Sequence, residues 1–233
     1  MKFARLQGDS SGEIMKKEDV RAKLQSVGLI PAVRVSTPEE ALFAAEAVSR
    51  GGIPIVELTM TVPKAAELIT HLLKKHPQMV VGAGTVLDVE TARACLEAGA
   101  RFITSPGLDL ATVEFVVKQG VAVLPGALTP SEIMAAVKAG ADFVKIFPCG
   151  QVGGPAYIRA LRAPFPTVSF IAAGGVNQQN AGDYIRAGVV AIGIGAHLIP
   201  PRAIEAKEPE WVVELARRFS HIVRQTRSEM APN

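Results

Sequence analysis

The chain has few of the residues that mark metal-bound or disulfide-stapled folds. Its two cysteines, Cys95 and Cys149, stand far apart and outside any Cys-x-x-Cys pair. That pattern excludes a disulfide scaffold and a zinc ribbon, and it is typical of a reducing compartment. The four histidines show no metal-ligand spacing. We therefore expect no metal and no other cofactor.

A strong excess of one charge and long hydrophobic runs are also missing. The 25 Lys and Arg against 22 Asp and Glu leave a net charge of +3, too small to indicate a nucleic-acid partner. No stretch reaches the roughly 18 charge-poor residues of a membrane helix, and residues 1–13 lack the apolar segment of a secretory signal. We expect a cytoplasmic protein that binds neither nucleic acid nor a membrane.

What the sequence does have is a repeating pattern, in which a short apolar run is followed by a helical stretch. Such runs are typical of strands buried on both faces. Parallel neighbours need crossover connections, so eight alternating units predict a parallel sheet. The eight runs are Leu29–Val35, Ile53–Thr59, Met79–Ala83, Arg101–Ser105, Val121–Leu124, Asp142–Phe147, Val168–Ala172 and Val189–Ile194.

Helix-start signals lie between these runs. Thr37-Pro38-Glu39-Glu40 and Thr129-Pro130-Ser131-Glu132 each place an N-cap residue before a proline and early acids. Asp88, Asp109 and Asn177 are further candidate N-caps. The last long helix is predicted over Pro209–Ser228.

Two layouts fit a parallel sheet of this size, an open doubly wound sheet and a closed barrel. The open sheet would often carry a nucleotide-binding glycine motif after its first strand, but Ser36-Thr37-Pro38 stands there. We therefore predict a single (β/α)₈ TIM barrel with an extra N-terminal helix over Lys17–Val27. Residues 17–233 are predicted to form the barrel domain, and residues 1–16 a mobile N-terminal extension.

A lysine stands inside one of the apolar runs. Lys145 alternates with Phe143 and Phe147, while Val144 and Ile146 occupy the helix-facing positions. This parity predicts that Lys145 points into the barrel. Burial disfavours the charged form of an amine, and a neutral amine can attack a carbonyl carbon to form a Schiff base. A structural lysine held by a nearby carboxylate is the alternative.

Two more charges stand in predicted strands. Glu57 shares a strand face with Ile55 and Thr59, so an inward face brings its carboxylate into the cavity of Lys145. Such a pair is either a buried ion pair or the acid/base and the nucleophile of Schiff-base chemistry. Arg34 suits bidentate binding of a substrate carboxylate or phosphate, with pairing to Glu57 as the alternative.

Glycine-rich turns follow several of the runs. Gly174-Gly175 follows the seventh run and Gly195 the eighth, where barrels often bind phosphate through backbone N–H groups. Gly82–Thr85 and Ser105–Leu108 add small residues after the third and fourth runs. Together these turns favour a small anionic ligand at the carboxyl ends of the strands.

Seven segments carry a resemblance to a known family. The chain resembles the class I aldolases of 2-keto-3-deoxy-6-phosphogluconate (KDPG) and 4-hydroxy-2-oxoglutarate (KHG), in order from about Gly28 to Pro201. The segments are Val56–Thr59, Val81–Val86, Ser105–Leu108, Leu124–Gly126, Phe143–Pro148, Pro164–Pro166 and Gly174–Gly175.

The resemblance implies a lyase that cleaves KDPG to pyruvate and glyceraldehyde 3-phosphate, without metal, as a cytoplasmic homotrimer. Its catalytic residues would be Lys145 for the Schiff base and Glu57 for general acid/base work. Thr85 and Pro106 match positions near the substrate carboxylate, and Gly174 and Gly175 match the phosphate loop. The predicted substrate-binding residues are Arg34, Thr85, Pro106, Phe147, Gly174, Gly175 and Gly195.

The chain departs from the family pattern at two positions. Thr61 stands where some members have an arginine, so Arg34 takes over the anion contact in our interpretation. Ala196 stands where members often place a serine on the phosphate. These departures leave open an aldolase for KHG or for the galactonate epimer. Outside the aldolases, the sequence also allows a phosphate-binding barrel isomerase or synthase, or a barrel used as a structural assembly subunit.

Overall fold

The structure is a computed structural model that describes residues 15–231, so most of the extension predicted over residues 1–16 lies outside the described residues. The helices are α1 (Lys17–Val27), α2 (Pro38–Arg50), α3 (Ala65–Lys75), α4 (Val89–Glu97), α5 (Leu110–Lys118), α6 (Pro130–Lys138), α7 (Pro155–Arg162), α8 (Ala181–Arg186), α9 (Pro201–Glu205) and α10 (Pro209–Met230). The strands are β1 (Leu29–Val33), β2 (Ile55–Thr59), β3 (Val80–Gly84), β4 (Phe102–Thr104), β5 (Ala122–Leu124), β6 (Gly126–Ala127), β7 (Val144–Ile146), β8 (Phe170–Ala173) and β9 (Ala191–Ile194).

These strands form one parallel sheet in the order β5-β4-β3-β2-β1-β9-β8-β7-β6. The two edge strands, β5 and β6, are separated in the chain only by Pro125. A proline has no N–H to donate to a ladder, but the Pro125 carbonyl accepts the Lys145 N–H at 2.9 Å. The edge strands are therefore two halves of one strand, and the sheet closes on itself. The predicted (β/α)₈ barrel with an extra N-terminal helix is confirmed.

The helix-start predictions are confirmed with one exception. Thr37 and Thr129 each form a capping box with the glutamate three residues later, and Asp88 and Asp109 accept the N–H of Thr91 and Thr112. The prediction of Asn177 as a helix N-cap is wrong. Its side chain accepts from the N–H groups of residues 179 and 180 and closes a turn, so α8 begins only at residue 181.

Helix α1 covers the amino-terminal end of the barrel. Its Lys17 Nζ lies 2.9 Å from the Asp142 carboxylate and its Arg21 Nε 3.4 Å from it. Asp142 also accepts the Val123 N–H at 3.0 Å, where the fifth and sixth barrel strands begin. On the other side, Arg227 of α10 donates to carbonyls at the end of α1 and to Val190. The contacts of Asp142 and of Arg227 therefore hold α1 over the amino-terminal end of the barrel. The carboxyl-terminal end is called the open end below.

Replacing Asp142 by asparagine is expected to lower the free energy of unfolding by about 1–2 kcal/mol. The side chain is only 5% exposed, so water replaces little of the lost interaction with Lys17 and Arg21. Urea denaturation measures the change. The control is Asp183→Asn, whose exposed pair with Arg186 is expected to contribute less than about 0.5 kcal/mol. Equal effects of the two substitutions would contradict this account.

The core fills both the barrel and the layer between strands and helices. Every strand contributes buried apolar side chains, and the inner faces of α2, α3 and α10 pack against them. Among residues 15–231, no helix combines the length and apolar character that crossing a membrane requires.

Candidate active site

Two oppositely charged side chains meet inside the barrel. Lys145 lies on β7 and Glu57 on β2, and β1, β9 and β8 stand between these strands in the sheet. The side chains therefore reach each other across the interior, with Lys145 Nζ 3.9 Å from Glu57 Oε1. They are only 13% and 5% exposed. The structure thus brings together the two predicted catalytic residues, as their strand parity indicated.

The Glu57 carboxylate fits because the neighbouring strand β3 carries glycines. Glu57 is in register with Gly82, and Thr59 with Gly84. A Cβ added at Gly84 would lie 2.0 Å from Glu57 Oε1, and one at Gly82 would lie 2.3 Å from the Phe102 ring. Residues in register on adjacent strands share a face, so the glycines give the carboxylate and the ring the space that side chains would fill.

The Gly84→Ala substitution is expected to lower kcat by about 10- to 100-fold, because the new methyl group forces the Glu57 carboxylate away from Lys145. Steady-state kinetics on the keto acid that the family resemblance implies measure the effect. The matched control is Gly107→Ala, where a Cβ meets nothing within 4 Å. Full activity of the Gly84 variant would show that the position of this carboxylate is unimportant.

Apart from Glu57, aromatic residues flank Lys145 along the chain. Its Nζ lies 5.5 Å from the centroid of the Phe147 ring, and Phe143 is buried. Gly126 is in register with Lys145, and a Cβ at Gly126 would lie 2.2 Å from the Pro106 carbonyl. The loop of Pro106 therefore packs against the strand position next to Lys145. Phe147 therefore lies beside this lysine, and the Pro106 loop lies beside the strand position that pairs with it.

Arg34 lies at the open end and binds hydroxyl groups. Its two terminal nitrogens donate to Thr85 Oγ1 at 2.9 Å and to Thr61 Oγ1 at 3.3 Å. Within residues 15–231, no carboxylate lies within 4.0 Å of Arg34, so the predicted alternative of a pair with Glu57 is wrong. The guanidinium is exposed and keeps its charge available for an anion.

Thr85 has an unusual backbone conformation. Its φ is 57°, in the left-handed region that a β-branched residue rarely adopts. The turn directs its hydroxyl to Arg34 at the end of β3. Such strain persists where the surrounding structure fixes it, and it is common at ligand sites.

Two glycine turns lie at the open end of the barrel, after β8 and β9. Gly174 and Gly175 have φ of 82° and 85°, which only glycine adopts readily. The Gly174 carbonyl accepts the Gly150 N–H at 2.8 Å, which fixes the turn. Among the described residues, the N–H groups of Gly175 and Gly195 have no acceptor. Adjacent strands β8 and β9 precede these turns, so both N–H groups lie at the carboxyl ends of neighbouring strands.

Cys149 lies close to Lys145 in sequence but is not suited to nucleophilic chemistry. Burial raises the pKa of its thiol to about 11, so very little thiolate exists at neutral pH. Its sulfur packs near the Gly154 carbonyl. In the described part of the chain, no three His, Cys, Asp or Glu side chains are grouped so that they could hold a metal ion.

Comparison with known proteins identifies the family. The family model described as "Aldolase: KDPG and KHG aldolase" matches residues 20–215. The chain belongs to the KDPG and KHG aldolase family. The 2-dehydro-3-deoxy-phosphogluconate aldolase of Treponema pallidum is 35% identical to it over 201 residues, which are 86% of this chain and 95% of that relative.

Solved structures similar to this chain have the same fold. The KDPG aldolase from Legionella pneumophila, with pyruvate captured at low pH as a covalent carbinolamine, gives a TM-score of 0.80 at 31% identity and covers 85% of this chain and 96% of that one. A cube-shaped cage designed by fusing symmetric oligomeric domains gives 0.80 at 31% identity, covering 88% and 74%.

Two residues near the site of this aldolase-family barrel, Gly84 and Thr59, are not predicted as site residues from the sequence. Gly84 looks like an ordinary turn glycine, and its proximity to Glu57 depends on strand register. Thr59 is fully buried and bonded to Thr61. Its parity with Glu57 is the available signal, since it predicts that both side chains point inward.

Proposed function

We propose that this chain is a class I, metal-independent aldolase that cleaves KDPG reversibly to pyruvate and glyceraldehyde 3-phosphate. The observation that carries the proposal is the 3.9 Å approach of the Lys145 amine and the Glu57 carboxylate across the barrel. Family membership and the aldolases among its relatives support the same reaction. An ion pair kept only for stability would not need a guanidinium and glycine N–H groups at the open end of the barrel, where they suit an anion.

The reaction begins at the C2 ketone of the substrate. The Lys145 amine adds to this carbon, and loss of water gives an iminium that withdraws electrons from C3. Glu57, directly or through a water, takes the proton of the C4 hydroxyl. The C3–C4 pair then moves into an enamine as C4 becomes the aldehyde of glyceraldehyde 3-phosphate. Protonation of C3 and hydrolysis of the iminium release pyruvate and the free lysine.

In this proposal, Arg34 with Thr85 holds one charged end of the substrate, and the glycine turns hold the other. Arg34 and Thr85 bind the carboxylate next to C2, because they directly follow β1 and β3, the strands on both sides of the strand of Glu57. Pro106 and Phe147 enclose the reacting carbons. The substrate-binding turns Gly174, Gly175 and Gly195 bind the phosphate through their backbone N–H groups.

KHG is the second candidate substrate, and one observation favours it. Ala196 is exposed beside Gly195 and offers no hydroxyl to a phosphate. A missing hydrogen bond of this kind costs about 1 kcal/mol of binding. KHG carries no phosphate, and the matching family model names both substrates. The galactonate epimer of KDPG differs at one carbon and is a third member of the same substrate class.

The experiment is a comparison of kcat/KM for KDPG, its galactonate epimer and KHG, with pyruvate release as the readout. We expect KDPG to be cleaved best and a chelator to leave the rate unchanged. A higher kcat/KM for KHG would make the unphosphorylated acid the substrate. Cleavage of none of the three would contradict the proposed function.

We also propose that the protein is a cytoplasmic homotrimer whose catalytic unit is the barrel of residues 17–233. The family resemblance supports the trimer, and so does the likeness to a cage built from symmetric oligomeric domains. Sedimentation equilibrium tests it: three copies of the 24.6 kDa chain have a mass of about 74 kDa. A monomer mass at micromolar concentration would contradict the trimer.

A further inference from the structure

Thr59 is a buried polar residue that the mechanism does not use. It ends β2 two residues after Glu57, and its side chain is fully buried. Its Oγ1 donates to the Val33 carbonyl at 2.9 Å, in the residue just before Arg34. The same oxygen lies 2.8 Å from Thr61 Oγ1. One buried hydroxyl therefore contacts both the backbone that carries Arg34 and a side chain that binds its guanidinium.

The direction of each hydrogen bond follows from proton counting. A threonine hydroxyl has one proton, and Thr59 uses its proton on the Val33 carbonyl. In the pair with Thr61, the donor is therefore Thr61 and the acceptor is Thr59. With its own proton so used, Thr61 Oγ1 turns its lone pairs to Arg34 and accepts from it at 3.3 Å.

The second anchor of Arg34 fixes the other side of the guanidinium. Thr85 Oγ1 accepts from Arg34 at 2.9 Å, and its own proton has no acceptor among the described residues. An oriented guanidinium and a free hydroxyl proton next to it match the two oxygens of a carboxylate.

We propose that Thr59 is a positioning residue that holds Arg34, through Thr61 and the Val33 carbonyl, in the orientation that binds the substrate carboxylate. The inference rests on the proposed function, since it takes Arg34 as the carboxylate ligand. It predicts that losing the Thr59 hydroxyl weakens substrate binding without disabling the Lys145 and Glu57 chemistry.

A comparison with Thr104 shows that burial alone does not give this role. Thr104 is buried as deeply, and its Oγ1 donates to the Leu124 carbonyl at 2.9 Å. Within residues 15–231, no further side chain bonds to that hydroxyl. The Thr104 hydroxyl joins β4 to β5, whereas the Thr59 hydroxyl is connected to Arg34 through the hydroxyl of Thr61.

The test uses Thr59→Val, which keeps the shape and removes the hydroxyl. The KM for the keto acid is expected to rise about tenfold while kcat stays within about twofold. Thr59→Ser, which restores the hydroxyl, is expected to return KM to within about twofold of the wild type. Thr70→Val is the structural control, because it removes a similar bond, from Thr70 to the Ala98 carbonyl on the outside of the barrel.

A double-mutant cycle distinguishes positioning from general loosening of the barrel. In an Arg34→Met background, Thr59→Val is expected to add less than about a twofold rise in KM. An equal rise in both backgrounds, or no rise in the wild-type background, overturns the proposal. If Thr59→Val does not fold, Thr61→Val replaces it. Thr61 is exposed, and this substitution removes the two hydrogen bonds that connect Thr59 to Arg34 through the Thr61 hydroxyl. Wild-type protein that cleaves no keto acid would overturn the proposed function and this role with it.

Discussion

The Lys145→Met variant is expected to lose aldol cleavage, with kcat/KM lower by roughly 10⁴-fold or more. Methionine fills a similar volume next to Phe147 but has no amine to form the iminium. Without the iminium, there is no group at C2 to accept the electron pair of the breaking C3–C4 bond. Coupled measurement of pyruvate release checks the prediction, and unfolding curves show whether the fold is kept.

The matched control for this variant is Lys138→Met, at an exposed lysine on α6. Its activity is expected to equal that of the wild type. If the Lys145 variant kept more than a few per cent of the activity, the Schiff-base account would be wrong. A barrel isomerase or synthase would then become the better interpretation.

The Glu57→Gln variant is expected to lower kcat by about 10²- to 10⁴-fold, the usual contribution of a general acid/base group. Glutamine has the same shape but cannot take the C4 hydroxyl proton or return it to the enamine. Because Arg34 and Thr85 bind the carboxylate in our account, KM is expected to change little. Steady-state kinetics separate the two parameters.

The control for this second variant is Glu114→Gln, at an exposed glutamate on α5. We expect it to leave both parameters unchanged. A Glu57 variant with nearly normal kcat and a raised KM would show that Glu57 binds substrate and does not move protons.

The sequence predicts most of the fold because each unit carries its own signals. Every predicted run contains or overlaps an observed strand, and α1 has the predicted bounds. The run predicted over Val121–Leu124 ends where Pro125 interrupts the ladder, so its continuation at Gly126–Ala127 is not predicted. The N-cap prediction fails at Asn177 because an asparagine side chain can close a local turn as readily as it caps a helix.

The site is less predictable, because its contacts join strands that are distant in the chain. Parity alone predicts that Lys145 and Glu57 point inward, but only barrel closure brings them within 3.9 Å. Parity does not predict the hydrogen-bond partners of Arg34, because its bonds to Thr61 and Thr85 depend on three-dimensional packing. Thr61, where the family resemblance led us to expect an arginine in some members, instead accepts a hydrogen bond from Arg34.

The most direct test of the Schiff-base account is borohydride reduction in the presence of pyruvate, followed by peptide mass spectrometry. Reduction of the iminium converts it to a stable secondary amine. We expect one carboxyethyl group per chain, on Lys145, and none in the Lys145→Met variant or without pyruvate. An adduct on a different lysine, or no adduct in active protein, would contradict the account.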